Sequence, residues 1–228
     1  MTEKELVERI NAVRRALEEE TGGRYPAPKL IAVTKTHSAG EILPLEAAGI
    51  KEIGENRVQE LREKLPELKD RFQIHLIGRL QRNKVKQIIR DVCMIQSVDS
   101  VLLAEEIHKR AQEAERIMPV LVEISPAGEL QKGGVPRDET ETFIRRIARL
   151  EGIKVRGIMA VMPFTDDELL LDRLFSETRE LFERLRNAAV NGVEMEELSM
   201  GMSGDYRIAA RHGATMVRVG SAIFGPRI

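Results

Sequence analysis

The stretch LSMGMSGDYRIAARHGATMVRVG, residues Leu198–Gly220, combines two short apolar runs with a glycine-rich loop and a short helical pattern between them. Gly213 follows the helical pattern directly before the second apolar run, as helix-stopping glycines do. Parallel strands in one sheet need a crossover connection, which is usually a helix. A strand–helix–strand pattern such as this one provides that connection. The stretch therefore predicts an α/β fold built from strand–helix units.

The same alternation extends over the rest of the chain, where short apolar runs are separated by longer amphipathic segments. An opening helix is indicated by Leu6, Ile10, Val13 and Leu17, which recur at helical spacing. The eight predicted strands are Leu30–Thr34, Lys51–Gly54, Gln73–Ile77, Cys93–Ser97, Val120–Ile124, Val155–Val161, Glu197–Met200 and Met216–Val219.

Eight strands that alternate with helices fit either an open doubly wound sheet or a closed barrel. The strand count and the length of 228 residues favour the barrel, which typically takes about 250 residues. The open sheet is further disfavoured because no G-x-G-x-x-G sequence follows the first predicted strand. We therefore predict an α/β fold, a single (β/α)8 TIM barrel with an extra N-terminal helix, in which residues 1–228 form one domain.

Composition and charge exclude several classes of protein. Hydrophobic residues make up 42% of the chain, enough for a sizeable core, and 36 basic against 37 acidic residues leave a net charge of −1. The opening residues lack the apolar segment of a signal peptide, and no apolar stretch approaches the ~18 residues of a membrane span. Cys93 is the single cysteine, and the histidines lack the spacing of a zinc site. We expect a monomeric cytoplasmic protein that binds no metal, nucleic acid or membrane.

In a barrel of this kind, functional residues lie at the carboxyl ends of the strands and in the loops that follow them. The longest break between predicted elements, Ser125–Asp138, is predicted to be a mobile loop of this type. Applied to all eight predicted strands, the rule selects Lys35, Asn56, His75, Met159, Ser203, Arg218, Gly220 and Ser221.

The last two loops carry the features of a phosphate site. Phosphates in such barrels are often bound by the loops after the seventh and eighth strands. In the segment GMSGD, Gly201 and Gly204 allow backbone N–H groups to approach an anion, and the Ser203 hydroxyl can donate a hydrogen bond. Gly220 and Ser221 offer the same groups on the neighbouring strand. Each motif alone is compatible with ordinary turn chemistry, whereas the pair favours phosphate binding.

Two charged residues in apolar runs complete the candidate site. Arg218 lies between valines, so its guanidinium needs a partner, either a carboxylate such as Glu55 in a structural salt bridge or a bound ligand. Lys35 ends the first predicted strand, where its amine either extends into solvent or acts as a nucleophile toward a carbonyl. A nucleophilic role suits a ligand with an aldehyde at one end and a phosphate at the other, such as pyridoxal phosphate (PLP) or a phosphorylated sugar.

Six segments of the chain closely resemble the pyridoxal phosphate homeostasis protein family. In chain order they are AVTKT, GENRVQE, HLIGRLQRNK, GIMAV, LSMGMSGD and MVRVGSAIFG, and the resemblance covers the chain from about Leu30 to Gly225. The family is similar to the barrel half of alanine racemase without its second domain. Where family members often carry threonine, this chain has Ser221, and both hydroxyls can donate to a phosphate.

The resemblance implies that the cofactor is PLP and that Lys35 holds it as a Schiff base, the internal aldimine. It implies a role in intracellular PLP homeostasis and delivery with little or no catalytic turnover, and apo-enzymes that accept PLP as partners. The phosphate contacts that it implies are Ser203, Gly220 and Ser221, and the implied ring contacts are Arg218 at the pyridine nitrogen together with Asn56, His75 and Met159.

Three other functions stay open at this point. A racemase-like PLP enzyme would need a second acid or base, for which Tyr206 is a conceivable group. A Schiff-base aldolase would bind a phosphorylated sugar at the same lysine. The five basic residues of Arg79–Arg90 could contact nucleic acid, but no aromatic side chain among them can stack on a base. This segment is better explained as a solvated face, or as the surface where a PLP-accepting enzyme docks or the cofactor leaves.

Overall fold

The protein is described by a computed structural model that covers residues 1–128 and 133–225. Eight parallel strands pair in chain order and the last returns to the first, which closes a (β/α)8 TIM barrel and confirms the predicted fold. The barrel strands are β1 (Lys29–Val33), β2 (Glu52–Glu55), β3 (Gln73–Leu76), β4 (Met94–Val98), β5 (Met118–Ser125), β7 (Ile153–Ala160), β8 (Val193–Ser199) and β9 (Met216–Val219), and the short β6 (Val135–Pro136) pairs only with β5.

Helices surround the barrel. The opening helix begins with a capping box between Thr2 and Glu5 and buries the apolar side that its spacing predicts. It packs against the two helices that flank the last strand. The helices are α1 (Glu3–Thr21), α2 (Ala39–Ile42), α3 (Pro44–Ala47), α4 (Val58–Leu68), α5 (Val101–Glu113), α6 (Thr140–Ile147), α7 (Glu168–Asn187), α8 (Tyr206–Arg211) and α9 (Ser221–Phe224), with a 3₁₀ helix at Arg82–Gln87.

The strands bury apolar side chains on both of their faces. The outer faces pack against the helices in one large cluster that contains most of the buried hydrophobic residues. The inner faces form a much smaller apolar cluster of Ile31, Met94, Leu121, Met159 and Met216. Because parallel sheets are covered on both sides, their strands read as continuous apolar runs, which explains why the sequence locates them well.

Four strands, β1, β5, β7 and β8, begin earlier than their sequence pattern predicts, and charged residues explain the difference at two of them. β7 starts at Ile153 and β8 at Val193, and both openings carry charged residues that face solvent. There, Lys154 Nζ lies 3.0 Å from Glu194 Oε1, and Arg156 also pairs with Glu194. A cross-strand pair of opposite charges is compatible with strand structure, so polar residues at the start of a strand hide its true boundary.

The segment Ser125–Asp138 is only partly described, and its residues 129–132 lie outside the described part of the chain. Within it, Val135 pairs with Ile124 at the end of β5, so the predicted loop includes a short strand. Among the described helices, none is long and apolar enough to cross a membrane.

A buried ion pair connects β1, β2 and α4 on the outer side of the barrel. Glu55 is fully buried at the end of β2, and its Oε1 accepts from the Thr34 hydroxyl at 2.6 Å and from Lys64 Nζ at 2.9 Å. Lys64 also donates to the carbonyl oxygen of Thr34 at 3.0 Å. Removing one partner of such a pair leaves an uncompensated buried charge.

We expect Lys64→Met to lower the free energy of unfolding by about 3–5 kcal/mol, measured by urea denaturation at pH 7, because the Glu55 carboxylate loses its cation. Lys4→Met is the matched control, since Lys4 forms a 4.0 Å surface pair with Glu8. The control should change the same quantity by less than about 1 kcal/mol. Equal effects of the two substitutions would contradict a stabilising role for the buried pair.

Candidate functional site

Closure of the barrel between β1 and β9 brings two candidate groups to the same end. Ile31 of β1 lies opposite Arg218 of β9 in the parallel ladder. Lys35 follows β1 by two residues, and Gly220 follows β9 directly. Since the carboxyl ends of parallel strands meet at one edge, Lys35 and the glycine–serine loop after β9 share the barrel mouth.

Helix α4 fixes the backbone on both sides of Lys35. Before it, the carbonyl of Thr34 accepts from Lys64, and after it the N–H of Thr36 donates to Glu60 Oε2 at 2.7 Å. Thr36 has a φ of 68°, in the left-handed region that is uncommon for residues other than glycine. The half-buried Lys35 side chain therefore starts from a turn whose conformation is strongly determined by its surroundings.

Ser203 and the loop after β9 form a cluster of hydrogen-bond donors. The Ser203 Oγ accepts from the N–H of Gly220 at 3.0 Å and from that of Ala222 at 3.3 Å. Ser221 is exposed at the start of α9, directly between these two N–H groups. A Cβ at position 220 would lie 3.3 Å from the Cβ of Val33, so the close approach of β9 to β1 favours glycine there. Hydroxyl and N–H groups converging in this way can bind phosphate oxygens.

The two glycines of the GMSGD segment have different roles. Gly201 has a φ of 95°, and a Cβ there would lie 2.5 Å from the Cβ of Ala209 on α8. Backbone conformation and helix packing therefore already require glycine at this position. Around Gly204, apart from its two chain neighbours, no described heavy atom would lie within 4 Å of an added Cβ, so the space there is open.

Arg218 is a cation buried inside the barrel, with only 3% of its surface exposed. Its Nη1 donates to the Ser199 hydroxyl at 2.6 Å and its Nη2 to the carbonyl of Ala160 at 2.8 Å. Burial lowers the pKa of Arg218 to about 10, and the nearby carboxylates of Asp205 and Glu123 oppose this shift. The guanidinium therefore stays protonated at neutral pH.

The alternative of a salt bridge between Arg218 and Glu55 is wrong, because the two side chains lie on opposite faces of the barrel wall. Glu55 follows Ile53 by two residues and shares its outer face, where it binds Lys64. Arg218 follows the inward-facing Met216 by two residues. Side chains alternate between the faces of a strand, so residues two apart point the same way.

The remaining predicted ring contacts occupy different environments. The buried Asn56 Oδ1 at the end of β2 has no hydrogen-bond partner among the described residues, so this acceptor is available to a ligand. Met159 belongs to the inner apolar cluster and is almost fully buried. His75 is hydrogen-bonded inside the barrel, with Nδ1 3.0 Å from Gln96 Nε2.

Sequence reasoning missed one acidic group of the site, Glu123 on β5. Burial raises its pKa to about 7, the neighbouring Asp99 adds to the rise, and Arg218 and Arg79 oppose it. Glu123 also lines a cavity of about 270 Å³ beside Met162. The sequence could have indicated Glu123, because it is an acidic residue within the apolar run VLVEI. A charge within an apolar run is also the feature that selected Arg218.

A large groove of about 1220 Å³ opens beside the barrel mouth. Asn56 lines it, and its charged lining is mainly basic. The starts of α4 and α5 also border it. The basic lining residues are Arg57, Arg79, Arg82 and Lys84, and the acidic ones are Asp99 and Glu106.

Metal binding finds no support in the described part of the chain, where no group of three or more histidine, cysteine, aspartate or glutamate side chains could hold an ion. The histidines have other contacts. His37 stacks on Phe224 with ring centroids 4.0 Å apart. His108 is half-buried and its Nδ1 accepts from the N–H of Gly152 at 2.8 Å.

One barrel mouth thus combines the amine of Lys35, the donor cluster at Ser203 and the buried guanidinium of Arg218. The amine suits the aldehyde of PLP, and the donor cluster suits its phosphate. The buried guanidinium suits its ring nitrogen. A barrel of this construction belongs to the class of the alanine racemase N-terminal domain, and the family model described as "Alanine racemase, N-terminal domain" matches residues 6–227.

Two relatives narrow this class to one family. A pyridoxal phosphate homeostasis protein of Aquifex aeolicus is 37% identical over 219 residues, which cover 96% of this chain and 95% of that protein. The structure of PipY of Synechococcus elongatus PCC7942 with PLP bound is 32% identical with a TM-score of 0.84, covering 96% of this chain and 100% of that chain. The chain belongs to the pyridoxal phosphate homeostasis protein family.

An alanine racemase of Clostridium difficile 630 shares the fold at greater distance. The TM-score is 0.78 at 18% identity, and the match covers 98% of this chain but 57% of the racemase chain. At this identity the likeness shows the fold alone. It agrees with the resemblance to the barrel half of that enzyme.

The raised pKa of Glu123 predicts an unusual pH dependence of stability. The folded protein binds this proton more tightly than the unfolded chain, whose value is near 4.5, so the stabilisation is lost as the pH rises from about 4.5 to about 7. Relative to Glu123→Gln, the wild type should lose about 2 kcal/mol in free energy of unfolding between pH 5 and pH 8. Denaturation of both proteins in the same buffers cancels the other ionisations, and a constant difference would contradict the assignment.

Proposed function

We propose that this protein binds PLP through Lys35 and acts in intracellular PLP homeostasis and delivery, with little or no catalytic turnover. The observation that carries the proposal is the buried, protonated Arg218 beside an amine and a donor cluster at one barrel mouth. Family membership and the PLP-bound structure of PipY support it. The proposal includes one domain over residues 1–228, a monomeric state and a cytoplasmic location.

In this proposal each end of the cofactor has its own residues. The amine of the half-buried Lys35 would hold the cofactor by condensing with its aldehyde, whose oxygen leaves as water. When bound, PLP supplies an electrophilic carbon and an electron-withdrawing ring. The phosphate is bound by Ser203, Gly220 and Ser221, and the ring is bordered by Asn56, His75 and Met159.

Arg218 explains why the proposal favours holding over turnover. A guanidinium only donates hydrogen bonds and keeps its own proton, so a ring nitrogen that faces it stays unprotonated. An unprotonated ring withdraws electrons less strongly. In stronger PLP catalysts a carboxylate fills this position and keeps the ring nitrogen protonated.

A racemase-like enzyme is the second candidate, and one observation favours it. The carboxyl of Glu123, with a pKa raised to about 7, could exchange protons at neutral pH near Arg218. Tyr206 suits this role less, since its hydroxyl interacts with Arg207. Deuterium uptake at the α-carbon of alanine in D₂O, faster than with free PLP and lost in Glu123→Gln, would establish turnover. Deuterium exchange no faster than with free PLP would exclude turnover and support the role of holding PLP.

The first test of the proposal is the lysine itself. The PLP-loaded protein should absorb in the visible range, and borohydride reduction followed by peptide mapping should place a pyridoxyl group on Lys35. Lys35→Arg keeps the charge but lacks the primary amine, so it should stay colourless and carry no adduct. Lys29→Arg is the control on the same strand, because Lys29 pairs with Glu197 instead, and it should keep both signals. A colourless wild type that takes up no PLP would overturn the proposal.

The groove beside the mouth is the proposed docking surface for a PLP-accepting apo-enzyme. Four basic side chains line it against two acidic ones, so it complements an acidic protein surface. Because Asn56 belongs to both the groove and the mouth, a partner bound there would meet the cofactor as it leaves. Opposite charges on two proteins speed their association, so they should also speed the transfer of PLP between them.

Charge reversal tests this docking surface. Arg82 and Lys84 line the groove, and Lys86 lies on the same 3₁₀ helix. Changing all three to glutamate should slow PLP transfer to an apo-aminotransferase about tenfold at low salt, measured by recovery of the acceptor's activity. PLP binding itself should be unchanged. The control reverses three exposed cations elsewhere, Arg145, Arg146 and Arg149 at α6, and should leave the transfer rate as it is. Unchanged transfer in the first variant would exclude docking through this groove.

A further inference from the structure

A line of buried polar side chains crosses the barrel interior behind Arg218. From Arg218 on β9 it continues through Ser199 on β8, Gln96 on β4 and His75 on β3 to Glu52 on β2. The first four are at most 3% exposed. Strands β4 and β8 are not neighbours in the barrel, so the contact between Gln96 and Ser199 passes through the interior.

The atoms along this line lie at hydrogen-bond distance. Arg218 Nη1 is 2.6 Å from Ser199 Oγ, which is 2.7 Å from Gln96 Oε1. Gln96 Nε2 is 3.0 Å from His75 Nδ1, and His75 Nε2 is 3.2 Å from Glu52 Oε2. The last link is the least well aligned, yet neither of its two buried atoms has a hydrogen bond to another described residue.

The chemistry of the donors fixes the direction of every link. An arginine can only donate, so Ser199 accepts from it and gives its own hydrogen to the carbonyl oxygen of Gln96. The amide nitrogen of Gln96 can only donate, so Nδ1 of His75 is the acceptor and the proton of the neutral ring is on Nε2. That proton faces Glu52, whose pKa is lowered by the hydrogen bond from His75. The line thus donates in one direction, from guanidinium to carboxylate.

We infer that Ser199, Gln96, His75 and Glu52 are positioning residues that hold the Arg218 guanidinium in one orientation toward the ligand. Arginine has several flexible bonds, and a fixed acceptor at one of its nitrogens removes that freedom. The hydrogen bonds from Arg218 to Ser199 and from Ser199 to Gln96 also keep the charge buried without a direct carboxylate partner. The inference rests on the proposed function, in which Arg218 faces the PLP ring, and it gives His75 a role through Arg218.

Ser199→Ala tests the line, and Ser97→Ala is its matched control. Both serines are buried in barrel strands, but the Ser97 hydroxyl donates to the carbonyl of Gly78 at 2.7 Å and has no part in the line. Without the Ser199 hydroxyl, the Gln96 amide is free to rotate and to present its oxygen to His75. The two substitutions remove the same group at similar burial, so a difference between them reports the line.

The first readout needs no cofactor. The ¹⁵N NMR shifts of His75 in the PLP-free protein should report the neutral Nε2–H tautomer in the wild type and in Ser97→Ala. Ser199→Ala should bring in the Nδ1–H tautomer. A wild-type His75 in the Nδ1–H form, or a protonated ring at pH 7, would overturn the inference even if every variant failed to fold.

The second readout uses the PLP-loaded protein and separates this inference from the proposed function. Ser199→Ala and Gln96→Met should still yield the borohydride adduct on Lys35, while the Kd for PLP rises about tenfold and the pH midpoint of the visible band shifts. Ser97→Ala should match the wild type. If the wild type forms no adduct, the proposed function fails and the NMR result still stands. Normal adducts with unchanged Kd and midpoint in both line variants would overturn the positioning role alone.

Discussion

The structure depends on keeping one guanidinium charged inside a protein barrel. Taking Arg218 out of water is costly unless its donors are satisfied, and the surrounding strands do this with the Ser199 hydroxyl and the Ala160 carbonyl. Polar side chains therefore replace part of the inner apolar core, which shrinks to a small cluster. The larger cluster between strands and helices carries most of the hydrophobic stabilisation, so the interior is free to serve a site.

The barrel mouth is held by polar contacts on both faces of the wall. Outside, the pair of Glu55 and Lys64 and the contact of Glu60 with Thr36 fix the turn that carries Lys35. Inside, the line that begins at Ser199 holds Arg218. Because side chains alternate along a strand, the two networks never share a residue, and each can be disturbed without breaking the other.

The sequence predicts the features of this site that stand out against an apolar background. The strand order, the opening helix, Lys35 and Arg218 are all visible as apolar periodicity or as charges that interrupt it. The hydrogen-bond partner of Arg218 is not visible in the sequence. A pairing with Glu55 could be rejected only by knowing which face of the barrel wall each side chain occupies. Gln96 and Ser199 are equally hidden. Neutral polar residues occur in many strands, and only the closed barrel brings β4 and β8 side chains together.

The same residues that make the interior stable also limit the chemistry of the proposed site. A guanidinium held by directed hydrogen bonds stays a donor, and a carboxylate that could protonate a ring nitrogen is kept at the far end of the line, at Glu52. In the proposed function, a ring nitrogen that faces this donor stays unprotonated, so the ring is a poorer electron sink. Glu123, the carboxyl nearest to a neutral pKa, lies at the mouth on β5, where it balances charge beside Arg218. In the proposed function, firm binding and weak catalysis are therefore two consequences of one buried cation.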